Sequence, residues 1–124
     1  MSCLYNSLSF FLKDVSPNHL RHQLCNYLGS NPKINDSNAN EVIRWENGMH
    51  LPHYINKMRH NNQWGGAIEI KCFCDLHRVN VIVYSIPNRR KIEFLSNSKS
   101  NKTFKIYWTG NHYEPITHNR FNFN

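Results

Sequence analysis

Residues 63–84 read QWGGAIEIKCFCDLHRVNVIVY, and within them the hydrophobic period changes. Gln63-Trp64-Gly65-Gly66 is a flexible break, after which Ala67 to about His77 carries Ile68, Cys72, Phe73 and Leu76 as the apolar stripe of a helix. Val79 to Tyr84 is then a β-branched run suited to a buried strand. Downstream the strand period persists. Lys91 to Leu95, Thr103 to Trp108 and a short segment from near His112 to Pro115 follow, separated by turns containing Pro87-Asn88 and Ser96 to Asn101. Upstream the period is helical. Cys3 to Lys13 sets Leu4, Leu8, Phe11 and Leu12 on one face, and Ser16-Pro17 starts a second helix whose Leu20, Leu24, Tyr27 and Leu28 run to Gly29. Ser30 to Asn40 reads as a loop, Glu41 to Glu46 as a short helix carrying Val42, Ile43 and Trp45, and Pro52 to about His60 as a helix with Tyr54, Ile55 and Met58 inward. Helices first and strands after predict an α+β domain in which a small sheet packs against helices.

With 124 residues and a 40% apolar share the chain suits one core, so a single domain over 1–124 is expected, with 1–116 as its body and 117–124 as a strand or a loose tail. The four cysteines do not form the dense framework of a small secreted scaffold, no basic leader precedes the first apolar stretch, and no run approaches bilayer length. These features point to a reduced, intracellular, soluble protein, and nothing indicates more than a monomer. The net charge of +7 is scattered, with Arg89-Arg90-Lys91 the one tight cluster, which argues weakly for nucleic acid. The abundant asparagines read as a compositional trace rather than a structural signal.

Chemistry enters at Cys3. A cysteine at a helix start lies in the field of unpaired backbone N–H groups, which favours the nucleophilic thiolate, whereas Cys25, Cys72 and Cys74 fall within helix bodies and read as small buried hydrophobes. A thiol nucleophile needs a base brought from elsewhere in the chain. Strand alternation sets His112 and Glu114 on one face, so a carboxylate stands ready to orient an imidazole. Read from the residues alone, a strand histidine is more often structural or solvated. His19-x-x-His22, His50-x-x-His53 and Cys72-x-Cys74 read as surface or packing residues, and no metal or cofactor is expected.

Three blocks occur in order: Cys3-Leu4-Tyr5-Asn6-Ser7-Leu8; then Tyr54-Ile55-Asn56-Lys57-Met58 leading to Trp64-Gly65-Gly66-Ala67-Ile68-Glu69-Ile70; then Asn111-His112-Tyr113-Glu114-Pro115. Together they resemble the ovarian-tumour (OTU) family of cysteine proteases, across nearly the whole chain. The resemblance implies a papain-like peptidase fold with a small mixed β-sheet packed between helices. It also implies hydrolysis of isopeptide bonds at the C-terminus of ubiquitin, polyubiquitin or a ubiquitin-like modifier. Carried over by position, Cys3 is the nucleophile, His112 the base and Glu114 the residue that orients it. Trp64, Gly65, Gly66 and Asn111 then border the substrate cleft, where small residues admit a thin Gly-Gly tail.

The family normally carries Asp-Gly-Asn or Asp-Gly-Ser ahead of the cysteine, supplying oxyanion donors, whereas Met1-Ser2 stand there in this sequence. Two alternatives to an active isopeptidase follow from these readings. One is an impaired ubiquitin-binding module. The other is a basic nucleic-acid-binding domain, for which Tyr84, Phe94, Phe104 and Trp108 would have to be stacking residues rather than core.

Overall fold

The structure, a computed structural model, describes residues 3–117, with Cys3 described by its backbone. The expected tail lies, from residue 118 on, outside the described residues, as do Met1 and Ser2 ahead of the cysteine. Five helices and six strands follow in chain order within the described residues: α1 Cys3–Ser9, α2 Pro17–Leu28, β1 Lys33–Ile34, β2 Ser37–Asn38, α3 Ala39–Asn47, α4 Leu51–Met58, α5 Ala67–His77, β3 Asn80–Ser85, β4 Arg90–Phe94, β5 Thr103–Trp108 and β6 Tyr113–Pro115. The architecture is α+β, with helices in the first half and a mixed sheet in the second.

Local signals explain much of this. The Ser16 side chain accepts from the His19 N–H at 3.1 Å, Pro17 opens α2 and Gly29 closes it, as the sequence leads one to expect. Helix α1 stops at Ser9, short of the expected Lys13. Beyond it the backbone tightens to bonds from Phe11 to Leu8 and from Leu12 to Ser9, and the Phe11 ring stacks on Phe104 of β5 at 4.5 Å. A tertiary contact therefore ends the helix, not a local breaker.

The stretch read as a loop, Ser30 to Asn40, contains the β1–β2 hairpin, with Asn35 at its turn in the left-handed region at φ 61°. Helix α3 is longer than expected because Asn38 caps it, accepting from the Glu41 N–H at 3.0 Å. The asparagines, read as compositional, prove to be structural here. Asn31 accepts from the Asn40 N–H at 2.8 Å, Asn40 from the Leu51 N–H at 3.0 Å, and Asn80 bonds to Ser96 and Ser100. Short amide side chains satisfy backbone groups that the irregular segments leave unpaired.

The sheet has the order β4-β3-β5-β6. β3 pairs antiparallel with β4 and parallel with β5, in register Val83 to Ile92 and Val83 to Ile106, and β6 returns antiparallel along β5. Residues 95–102 carry the chain from one side of β3 to the other. That crossover is fastened to α5, because Lys71 Nζ donates to Leu95 O at 2.6 Å and to Asn97 at 2.9 Å while pairing with Asp75 at 3.0 Å. Helix α5 is the central element. Ile68 to Cys74 are buried without a break, wider than the expected stripe, and Arg78 ends the helix in the left-handed conformation at φ 56°.

Phe73 is fully buried at the centre, against Phe104 and His77. Tyr84 and Phe104 are buried, and Phe94 and Trp108 pack against the core. Arg89, Arg90 and Lys91 are exposed at the β3–β4 turn. Among the described residues no helix is long and apolar enough to cross a membrane.

Candidate active site

The first residue of α1 is Cys3, and α1 packs against β6, the strand that His112 precedes. Two of the three blocks separated by most of the chain thus meet. His112 is set at the end of a tight turn. Its N–H donates to Thr109 Oγ1 at 3.2 Å, its carbonyl accepts the Thr109 N–H at 2.9 Å, and Gly110 takes φ 112°, which a side chain would resist. Thr109 therefore fixes the histidine backbone on both sides, a role the sequence reading missed. Asn111 is exposed, and its side-chain oxygen accepts from the Thr109 hydroxyl at 3.0 Å, so it braces the same turn.

The alternation argument for Glu114 holds in the geometry. Its Oε2 stands 3.5 Å from His112 Nε2, with the two side chains 48% and 47% exposed. At that separation the contact is electrostatic rather than a short hydrogen bond, and it engages Nε2 while leaving the Nδ1 edge of the ring unused by the glutamate.

Gly65 lies directly on α1. A Cβ built there would come within 2.7 Å of Leu4 Cδ2 and 3.2 Å of the Tyr5 ring and hydroxyl, so only glycine lets this strand of chain rest on the helix's first turn. Gly66 is open by comparison, with nothing within 4 Å of the same position, and Trp64 is half exposed. Two buried ionisable side chains hold this segment, and neither was assigned a role from sequence. Glu69, 3% exposed, accepts the Gly66 N–H at 2.7 Å and the Tyr54 hydroxyl at 2.6 Å. Arg21, 1% exposed, donates to the carbonyls of Met58 at 2.8 Å, Gln63 at 2.9 Å and Asn61 at 3.3 Å, with its guanidinium 4.3 Å above the Tyr5 ring.

A signal for Glu69 was present, since Gly-Gly-x-x-Glu puts the carboxylate at the third residue of α5, from which a capping side chain reaches back to the helix start. Arg21 carried none, because an arginine within an amphipathic helix reads as its wet face.

Burial lifts the Glu69 carboxyl above its ordinary range, although the Tyr54 hydroxyl, the backbone N–H donors and the Arg21 charge pull it back down. The folded chain then retains a proton that the unfolded chain has released. Glu69's contribution to stability is accordingly full at low pH and declines as pH rises from the ordinary carboxylate value through the raised one. Glu69→Gln is expected to gain on the unmodified protein in urea midpoint as pH climbs through that window; a constant difference at every pH would contradict this.

The remaining cysteines are inert by the same physics. Cys25, Cys72 and Cys74 are buried and unpaired, and burial pushes each thiol up, that of Cys74 to about 12. An apolar groove of about 230 Å3 runs from Ala67, beside Gly66, to Tyr113, beside His112, with Ile92, Phe94 and Trp108 along its walls. A larger cleft of about 470 Å3 between β4 and the β1–β2 hairpin holds none of the expected site residues. Among the described residues no three His, Cys, Asp or Glu side chains converge to hold a metal ion.

Comparison with known proteins extends these observations. The family model described as OTU-like cysteine protease matches residues 2–118. Over 122 residues the chain is 31% identical to the ubiquitin thioesterase OTU1 of Saccharomyces cerevisiae, covering 97% of this chain and 38% of that protein. It is 23% identical over 117 residues to the ubiquitin thioesterase OTU1 of Dictyostelium discoideum, covering 94% and 34% respectively. The chain thus spans about a third of the length of the curated relatives it matches. Its fold is that of a solved ovarian tumour (OTU) domain in complex with ubiquitin, with a TM-score of 0.79 at 24% identity over 98% of this chain and 67% of that one.

Proposed function

Because the chain belongs to the OTU-like cysteine protease family, we propose that it is a thiol-dependent deubiquitinase domain that cleaves isopeptide bonds at the C-terminus of ubiquitin or a ubiquitin-like modifier. The observation that carries the reading is the approach of the His112–Glu114 strand to the helix that begins with Cys3.

In this mechanism the Cys3 thiolate attacks the carbonyl carbon of the modifier's terminal glycine, and the tetrahedral intermediate collapses with loss of the lysine amine, which takes its proton from imidazolium His112. Neutral His112 then draws a proton from water, which attacks the thioester; the modifier leaves with a free carboxylate and the thiol is restored. Glu114 at Nε2 stabilises the imidazolium and keeps Nδ1 for the sulfur. On this reading Trp64, Gly65, Gly66 and Asn111 border the substrate's path, although none of them lines the apolar groove and Trp64 and Gly66 line a separate hollow with Tyr54 and Glu69. The apolar groove from Ala67 to Tyr113 suits the extended, partly apolar tail that leads to a terminal Gly-Gly.

Incubating the chain with ubiquitin bearing a C-terminal thiol-reactive group tests the proposal. One adduct is expected, with the mass of a single ubiquitin and mapped by peptide mass spectrometry to Cys3, since the other three thiols are buried. A folded protein that binds ubiquitin but forms no adduct would make it a binding module instead.

A further inference from the structure

Two ionisable side chains removed from water, Arg21 and Glu69, are costly unless their geometry does something that apolar packing would not, because well-packed hydrophobic side chains in their place are often as stable or more so. Both act on the same few residues. Arg21 reaches the end of α4 and the turn after it, taking the carbonyls of Met58, Asn61 and Gln63, where a helix C-terminus leaves acceptors unpaired and carries partial negative charge. The same guanidinium stands over the ring of Tyr5 of α1. Glu69 takes the Gly66 N–H from the other side and is itself held by the Tyr54 hydroxyl. The segment 64–66 is thus fastened just before its start and at its end, while its middle residue, Gly65, rests on Leu4 and Tyr5.

We infer that Arg21 and Glu69 are positioning residues that hold residues 64–66 against the first turn of α1, and so fix the place of the segment that, on the proposed function, borders the path of the modifier's tail. This rests on the deubiquitinase reading for its consequence, but not for its geometry. Neither side chain touches the reacting atoms. Their loss should loosen the 64–66 segment while α1, packed also on α2 and β6, stays in place.

The test uses the full chain with Arg21→Lys, which keeps the charge but loses the planar fork, and with Glu69→Ala beside the conservative Glu69→Gln. Amide hydrogen exchange is read residue by residue. In Arg21→Lys and Glu69→Ala, exchange over residues 64–67 is expected to rise about tenfold while the core of α5 stays protected, and Glu69→Gln restores it. In parallel, KM for a ubiquitin–fluorophore conjugate is expected to rise about fivefold, with alkylation of Cys3 by iodoacetamide changing less than about twofold. Unchanged exchange over 64–67, or acceleration spread across α5 and β3 as well, overturns the inference. Should Arg21→Lys not fold, the Glu69→Ala and Glu69→Gln pair decides it alone. A wild-type chain that leaves the conjugate intact would defeat the deubiquitinase reading, and the exchange result would still stand for or against the positioning role.

Discussion

Replacing Cys3 by alanine is expected to abolish turnover of a ubiquitin C-terminal conjugate, and His112→Ala to lower kcat by about a thousandfold while leaving the thermal midpoint nearly unchanged. On the proposed mechanism Cys3 supplies the bonding electron pair, and Cys25, Cys72 and Cys74 are too buried to substitute for it. On the same mechanism His112 supplies the proton that the leaving amine requires, and its exposed place before β6 makes its removal cheap in stability. Glu114→Gln should cost only about tenfold, because a carboxylate 3.5 Å from the ring in a half-hydrated setting contributes modestly. Steady-state kinetics of the three variants provide the check. A His112→Ala protein that turns over at the wild-type rate would move the base to another histidine.

Gly65→Val should lower both stability and turnover. The first added carbon already meets Leu4 Cδ2 at 2.7 Å and the Tyr5 ring at 3.2 Å, and those residues are 2% and 0% exposed, so neither can swing into solvent. Overpacking of this kind costs about 1–3 kcal/mol, and relief requires the 64–66 segment to lift from α1. A displacement of about 1 Å beside a reacting group is enough to cost on the order of a hundredfold in rate. Gly66→Ala is the internal control, since its Cβ meets nothing within 4 Å and should change the unfolding free energy by less than about 0.5 kcal/mol. Equal losses in the two variants would mean that the contact with α1 is not what makes glycine necessary at position 65.

Part of the site was legible because its chemistry follows from local periodicity. Two-residue alternation set Glu114 beside His112, whereas Cys3 was a candidate from its helix start and owed its assignment chiefly to the family resemblance. The braces around them were not legible. Thr109 works through a turn closed by its own hydroxyl, and Trp64-Gly65-Gly66 read as a flexible break when in the fold it is fastened at both ends. The same division runs through the fold. Ser16-Pro17 and Gly29 delimited α2, and the change of period at residue 79 divided helices from strands, because caps and hydrophobic repeats act within a turn or two of chain.

By itself, then, the sequence determined the α+β class and most of the element order, and it named Cys3, His112 and Glu114 as the candidates for thiol chemistry. Tertiary structure alone decided that α1 ends where Phe11 meets Phe104, that β3 runs parallel to β5, and that Arg21 is a buried staple and not a solvated charge. The partners of Arg21 lie 37, 40 and 42 residues away along the chain. No periodicity or cap carries information over such separations; whether a guanidinium is worth burying is settled only when the fold brings carbonyl acceptors and an aromatic face to meet it.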